Sequence, residues 1–341
     1  MSEPGSLMAA EMAEQPEKLA ALIGRRDEVA KQVNKVVPQP LAGTALVARG
    51  SSDHAATCGA YLIEIATHRP VAMTSPSVIT LYQAETDFSG YLVIAVSQSG
   101  RTPEIVEVTE RARKKGACTL AFTNDPGSPL AQAAQLVVDL GAGPERAVPA
   151  TKTVTAELAA FALLAAALGD IGLAERSLHE LPDQVAGLLG DPGPAEAVAE
   201  WASRADRMVT VARGILYGAA REVALKIEET TALFTAGYSA ADLRHGPIAI
   251  AATGPPVLAF AHPGPAADDV IGLVGELAQR GARARLAGPV TGSILPWPIA
   301  APEALAPVLA VVRGQQLALA LARRLGRDPD NPPGLNKVTA T

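Results

Sequence analysis

The chain has 341 residues, of which 48% are hydrophobic, 19% charged and only 4% aromatic, with a formal net charge of −6. That length suggests roughly two domains, packed mainly by Ala, Leu and Val rather than left disordered. The acidic balance and the absence of a long Lys/Arg run exclude nucleic acid as an expected partner, and Arg111 to Lys115 reads as the solvated end of a helix.

The N-terminus carries acids where a secretory leader needs a basic start, and no apolar stretch both reaches membrane-spanning length and lacks charge. No membrane partner is expected. Cys58 and Cys118 lie among small and apolar residues and read as free thiols, which fits a cytoplasmic protein. No metal-ligand spacing is present, and neither a metal nor an organic cofactor is expected.

In chain order, residues 1–40 read as a helical lead-in. "TALVARG" is a short β-rich run ending in glycine, and a helix follows from Asp53 to about Thr67. Then come "PVAMT", "YLVIAV" (Tyr91 to Val96), a helix from Thr102 to Lys115, "CTLAFTN" and "AQLVVDL". Pro182 to Pro194 reads as a helix plus linker. The pattern then resumes with "MVTVARG", a helix near Leu216 to Leu233, "PVLAFA", a helix near Asp268 to Arg280 and "ARARLAG". A long helix from about Pro302 to Leu325 closes the chain. Apolar runs alternating with helical stretches predict parallel strands joined by crossover helices.

An internal echo supports two copies of one unit. "VARGSSDHAATCGAYLIE" (Val47 to Glu64) and "VARGILYGAAREVALKIE" (Val211 to Glu228) align without a gap at an offset of 164 residues. The expected fold is α/β, two doubly wound parallel-sheet, flavodoxin-like domains related by duplication, spanning residues 41–180 and 195–341.

Ligands of open α/β sheets collect beyond the carboxyl ends of the strands. "GSSDH" (Gly50 to His54) and "SQSGRT" (Ser97 to Thr102) both follow strands of the first half and both lead into helices. Free N–H groups and the dipole at a helix start favour an anion, so the pair of hydroxyl-rich turns predicts a phosphate held by neutral donors. Neither turn matches the nucleotide P-loop. The plain alternative is that Ser51, Ser52 and Asp53 cap one helix and Ser99 or Thr102 the next.

With "SQSGRTPE", the "GSS" turn, the duplication and "ALKIEETTALFTAGYSAADLRHGPIA" (Ala224 to Ala249), the chain resembles tandem sugar isomerase (SIS) domain proteins. It is similar to the isomerase half of glucosamine-6-phosphate synthase and to stand-alone glucosamine-6-phosphate deaminases. The likeness runs from about Leu41 to Thr341, and takes in "PERAVPATK" (Pro144 to Lys152) and the terminal "LNKVTAT".

The resemblance implies that Ser51, Ser52, Ser97, Gln98, Ser99 and Thr102 bind the phosphate and sugar. It implies that the Val148 backbone lines the sugar, that Glu229 is the acid–base carboxylate, and that Lys226 accompanies it one helical turn earlier. It implies that His245 opens the sugar ring from the partner subunit of a homodimer and that Lys337 meets the sugar carbonyl. Without the motif, Glu229 would read as a solvated helix charge, His245 as a capping residue and Lys337 as an unremarked terminal lysine. The set suits proton transfer between C1 and C2 of an open-chain sugar phosphate. A histidine suits ring opening, a carboxylate suits transfer between carbons, and a lysine suits the carbonyl. His54 adjoins the phosphate turn; His68, His179 and His262 read as structural or exposed.

The departures narrow this. The synthase has a glutaminase domain with a nucleophilic cysteine after its first Met, whereas residue 2 here is Ser and the first cysteine is Cys58. The chain is therefore expected to convert glucosamine 6-phosphate to fructose 6-phosphate and ammonia without hydrolysing glutamine. Rival readings are a fructosamine-6-phosphate deglycase, a related amino-sugar phosphate isomerase such as one acting on galactosamine 6-phosphate, or a non-catalytic sugar-phosphate sensor. Ala150 stands where the synthase has Ser. Arg101 replaces an acid and is read as tuning the substituent accepted or strengthening the anion site. Glu228 adjoins Glu229, and its counterpart Glu64 in the echo marks it as a scaffold residue.

Overall fold

A computed structural model describes residues 3–251, 254–335 and 337. The two five-stranded sheets are wholly parallel. The first is formed by β1 (Gly43–Val47), β2 (Val71–Met73), β3 (Tyr91–Val96), β4 (Cys118–Thr123) and β5 (Leu136–Asp139), in the order β2-β1-β3-β4-β5. The second is formed by β6 (Arg207–Ala212), β7 (Phe234–Ser239), β8 (Val257–Phe260), β9 (Ala284–Ala287) and β10 (Ser293–Leu295), in the order β7-β6-β8-β9-β10. Both orders are the flavodoxin-like one, in which the chain reverses direction across the sheet between the first and third strands. That reversal opens a crevice at β1/β3 in one sheet and at β6/β8 in the other.

Contacts divide the chain into two compact units that do not follow chain order. The first-sheet unit holds Lys18–Pro144 and Thr153–Leu173; the second-sheet unit holds the residues up to Glu17, Glu145–Lys152 and Ala174–Lys337. The contiguous spans expected from the sequence are thus interleaved, and Asn336 and 338–341 of the "LNKVTAT" tail lie outside the described residues. Val47, Val93, Ala95, Val108 and Leu130 pack one face of the first sheet. Val211, Leu243, Ala259, Leu273 and Leu286 do the same for the second.

The duplication persists in backbone detail. Gly50 and Gly214, each opening the helical segment after the first strand of its sheet, have φ of 57° and 63°. The helices Gly50–Thr67 and Tyr217–Thr231 end in left-handed C-caps, His68 and Ala232, whose N–H groups bond to the carbonyls of Glu64 and Glu228. The carboxylates of Glu64 and Glu228 accept the N–H of Val71 and Thr235, each at 3.2 Å, at the start of the next strand. Glu228 thus makes the same backbone contact as its echo.

Three elements depart from expectation. β7 and β10 are edge strands that no apolar run announced. The helix Lys152–Leu168 is buried on nearly every side, so it shows no amphipathic period. The segment Glu303–Arg324 is long and apolar enough to cross a membrane by length and composition, but it carries the charge of Arg313, and 89% of its 18-residue apolar window is buried inside the protein. Its Arg313 donates to the carbonyls of Pro296 and Asp191 at 2.8 and 2.6 Å, as a core helix would. That helix lies against Tyr217–Thr231 so closely that a Cβ at Gly314 would stand 2.2 Å from Val223.

Candidate active site

In the first-sheet unit the two hydroxyl turns stand at the ends of β1 and β3, the crevice where the sheet order reverses. The helix after β1 begins at Gly50, three residues earlier than expected, so Ser51 and Ser52 lie in its first turn. Its N-cap is Arg49, and the N-cap of Pro103–Lys114 is Thr102; among the described residues neither side chain caps its helix. Ser51 and Ser52 thus lie inside the helix rather than at its N-cap, and Thr102 is an N-cap without a side-chain bond to its helix. Thr102 Oγ1 stands 3.3 Å from Ser97 Oγ, and the N–H of Arg101 reaches Ser99 Oγ at 3.3 Å. Between them, Gly100 has φ of 61°, and a Cβ there would lie 2.1 Å from Ser128 Oγ, so only glycine makes this turn.

Arg49 donates to Glu104 at 2.9 Å and ties the two turns together. Ser52 is buried and donates to Glu157 at 2.8 Å, so its hydroxyl is spent on the protein. Arg101, in the same turn, forms an exposed ion pair with Asp125 at 3.0 Å. Gln98 is half-buried in the turn, and its carbonyl accepts Asn124 N–H at 3.0 Å. The result is a cradle of hydroxyls and helix-start N–H groups.

The second-sheet unit holds the titratable set. On Tyr217–Thr231, the spacing of Glu222, Lys226 and Glu229 places all three on one helical face. Lys226, 1% exposed, hydrogen-bonds Glu229 and stands 3.3 Å from Glu222. Burial works against its charge, but the two carboxylates more than offset that and hold its pKa above the ordinary lysine value. Glu222 is equally buried and was not singled out in the sequence; its signal was an acid four residues before Lys226.

Lys337 donates to the buried Glu145 at 2.8 Å, and Glu145 also accepts the N–H of Thr151 at 2.9 Å. Val148 lies half-buried in the same Glu145–Lys152 segment. His245 is exposed at the end of Ala240–Arg244 and lines a cavity of about 490 Å³ with Arg213, Arg244 and Asp269. None of the other expected site residues lines that cavity. The structure brings Ser97 to Thr102 within the first-sheet unit and Lys226 to Glu229 within the second. Of the remaining histidines, His262 is buried against Trp297, while His68 and His179 are exposed. Cys58 is buried and Cys118 half-buried, both as free thiols.

A doubly wound α/β unit whose reversal crevice carries a cluster of hydroxyls, with a buried carboxylate–lysine set on a second unit of the same strand order, defines a class of duplicated α/β proteins. Residues 44–167 and 203–287 match the SIS domain family, and the chain belongs to that family. It is 32% identical to the glutamine–fructose-6-phosphate aminotransferase (isomerizing) of Methanothermobacter thermautotrophicus, over 99% of this chain but 58% of that one. It spans little more than half the length of such curated relatives.

Among solved structures it is similar to a Silicibacter pomeroyi chain assigned to the phosphosugar isomerases. That match has 34% identity and a TM-score of 0.87, over 95% of this chain and 99% of that one. It is also similar to the C-terminal domain of glucosamine-fructose-6-phosphate aminotransferase from Francisella tularensis, at 25% identity and a TM-score of 0.84, over 96% and 98%.

Proposed function

We propose that the chain is a phosphosugar isomerase that converts glucosamine 6-phosphate to fructose 6-phosphate and ammonia. The observation that carries this is the Glu222–Lys226–Glu229 group, a buried ammonium between two carboxylates with Glu229 the more exposed of the two. Burying such a set is costly unless it has a use. The names of the similar aminotransferases include fructose 6-phosphate, and one of them also glucosamine.

In this reading the cradle of Ser97, Gln98, Ser99 and Thr102, with Ser51 at the neighbouring helix start, binds the phosphate and orients the sugar. Ser52 serves indirectly, through Glu157. His245, supplied by the partner subunit of a homodimer, passes the proton that opens the ring. Glu229 takes the proton from C2 of the open-chain amino aldehyde, giving an enolamine, and returns it to C1. This leaves an imine at C2, which water converts to the ketone with release of ammonia. Lys226 holds Glu229 in place, and Lys337 steadies the oxygen on C1 while charge develops there. The Val148 backbone lines the sugar. A cytoplasmic setting, which suits the free thiols, belongs to the same proposal.

The test is ammonia release from glucosamine 6-phosphate, with fructose 6-phosphate measured in parallel. Equal amounts of both products are expected from the wild type. Glu229→Gln is expected to lose about 10²-fold or more in turnover. Release of neither product by a protein that binds the sugar phosphate overturns the assignment.

A further inference from the structure

The N-terminal helix Ser6–Ala13 lies far in sequence from every expected site residue, yet it is bound into the setting of Lys337. Asp330, shortly before Lys337, accepts the N–H groups of Leu7 and Met8 at 2.8 and 2.9 Å, and Asp328 accepts that of Gly5 at 2.9 Å. Carboxylates at a helix start satisfy its free donors and oppose its dipole. Met8 and Met12 then pack with Ala147 and Leu319.

From the same helix Glu11, 3% exposed, accepts the N–H of Arg146 and, at 3.2 Å, that of Ala147. Just past the helix, Glu14 receives Lys152 Nζ at 2.7 Å. Gln315 adds a bond to the Thr151 carbonyl at 3.1 Å. The Glu145–Lys152 segment is thereby held at both ends, and its first residue is the one that grips Lys337.

We propose that Glu11 is a positioning residue: by fixing the backbone of Arg146 and Ala147 it sets Glu145, and through Glu145 the place of the Lys337 ammonium. The inference rests on the role proposed above for Lys337. Two features set Glu11 apart from an ordinary loop tie. Tying two backbone N–H groups does not need a full charge, and a buried carboxylate is costly to keep. Glu11 also stands close enough to the buried Glu145 for the two charges to act on each other: burial and Glu145 both push its pKa up, against the pull of the two amides and Lys152. Nearby cations ease such a pair: Lys152, bonded to Glu14, pulls the pKa of Glu11 down, and Lys337 is bonded to Glu145.

The test reads Lys337 directly and does not depend on knowing the substrate. Site-resolved acylation by an amine reagent, followed by mass spectrometry, is compared in the wild type, Glu11→Ala and Glu11→Gln. Turnover is measured alongside, as is the affinity for glucitol 6-phosphate, which has the phosphate but no carbonyl.

Lys337 is expected to react about fivefold faster or more in Glu11→Ala, and turnover to fall about tenfold or more, since small misplacement of a reacting group costs that much. Glucitol 6-phosphate affinity is expected to stay within about twofold, the range of independent sites. Glu11→Gln, which keeps one acceptor, is expected to fall between. Unchanged Lys337 reactivity in Glu11→Ala overturns the proposal, whatever turnover does. So does a loss of turnover and affinity together with thermal stability, which marks a scaffold role only. If the wild type turns over no amino-sugar phosphate, the acylation comparison still decides the linkage, and only the function proposed above fails.

Discussion

The turn after β3, Ser97 to Thr102, and the turn after β8, Ala261 to Ala266, stand at the same place in two sheets of the same order, 164 residues apart. Thr102 and Ala266 are even the N-caps of corresponding helices. Yet the first turn carries Ser97, Gln98, Ser99 and Thr102 where the second carries Ala261, His262, Pro263 and Ala266. The helices after β1 and β6 show the opposite bias: Cys58, Leu62 and Ile65 in the first correspond to Glu222, Lys226 and Glu229 in the second. One copy of the unit carries hydroxyls in this turn; the other carries Glu222, Lys226 and Glu229 on its helix and a turn without hydroxyls. In the function proposed above, this divides binding from proton transfer between two copies of one scaffold.

Substitutions that break one side should leave the other intact. The largest effect is expected at Lys226. Lys226→Met leaves Glu222 buried with its cation removed, and is expected to lower stability by about 3–5 kcal/mol in urea denaturation while abolishing turnover. A next, smaller effect belongs to the cradle. Ser97→Ala with Thr102→Ala is expected to weaken glucitol 6-phosphate binding by about 1–3 kcal/mol in calorimetry, the loss of one or two hydrogen bonds to a charged group. Turnover at saturating substrate is expected to stay near that of the wild type.

The smallest effect concerns His262, which replaces Gln98 in the second copy. Burial lowers its pKa below the ordinary value of 6.5, and Trp297 Nε1 donates to its unprotonated Nδ1 at 3.3 Å. The unfolded chain therefore binds this proton more readily than the folded one. The contribution of His262 to stability is complete above pH 6.5 and is lost as pH falls from there toward the lower folded value. His262→Gln is expected to flatten that part of the stability–pH curve, which thermal denaturation at several pH values would check. An unchanged slope would mean that another group sets it.

Much of this division was legible in the residues alone. β1, β3, β4, β6, β8 and β9 announce themselves as apolar runs because strands covered on both faces need no polar alternation. β7, "FTAGYS", did not: it is an edge strand whose first residue, Phe234, is 69% exposed and whose middle holds a glycine. The cradle and the Lys226–Glu229 pair were legible because their members lie within a few residues of one another.

The carboxylates that support them were not. Glu157 under Ser52, Glu145 under Lys337, and Glu11 under Arg146 and Ala147 act across separations of 105, 192 and 135 residues. No local pattern encodes such pairings; they emerge only when the chain has folded.

The most direct test of the division is hydrogen exchange at the reacting carbon. Fructose 6-phosphate and ammonium would be incubated in D2O with the wild type, with Glu229→Gln, and with the Ser97→Ala, Thr102→Ala pair, and deuterium gain followed by mass spectrometry. Wild-type protein is expected to introduce solvent deuterium at C1. Glu229→Gln is expected to introduce none while still binding the sugar phosphate, and the cradle pair to regain the wild-type rate at saturating substrate. Exchange by Glu229→Gln at the wild-type rate, or a saturated rate that stays low in the cradle pair, would contradict the account.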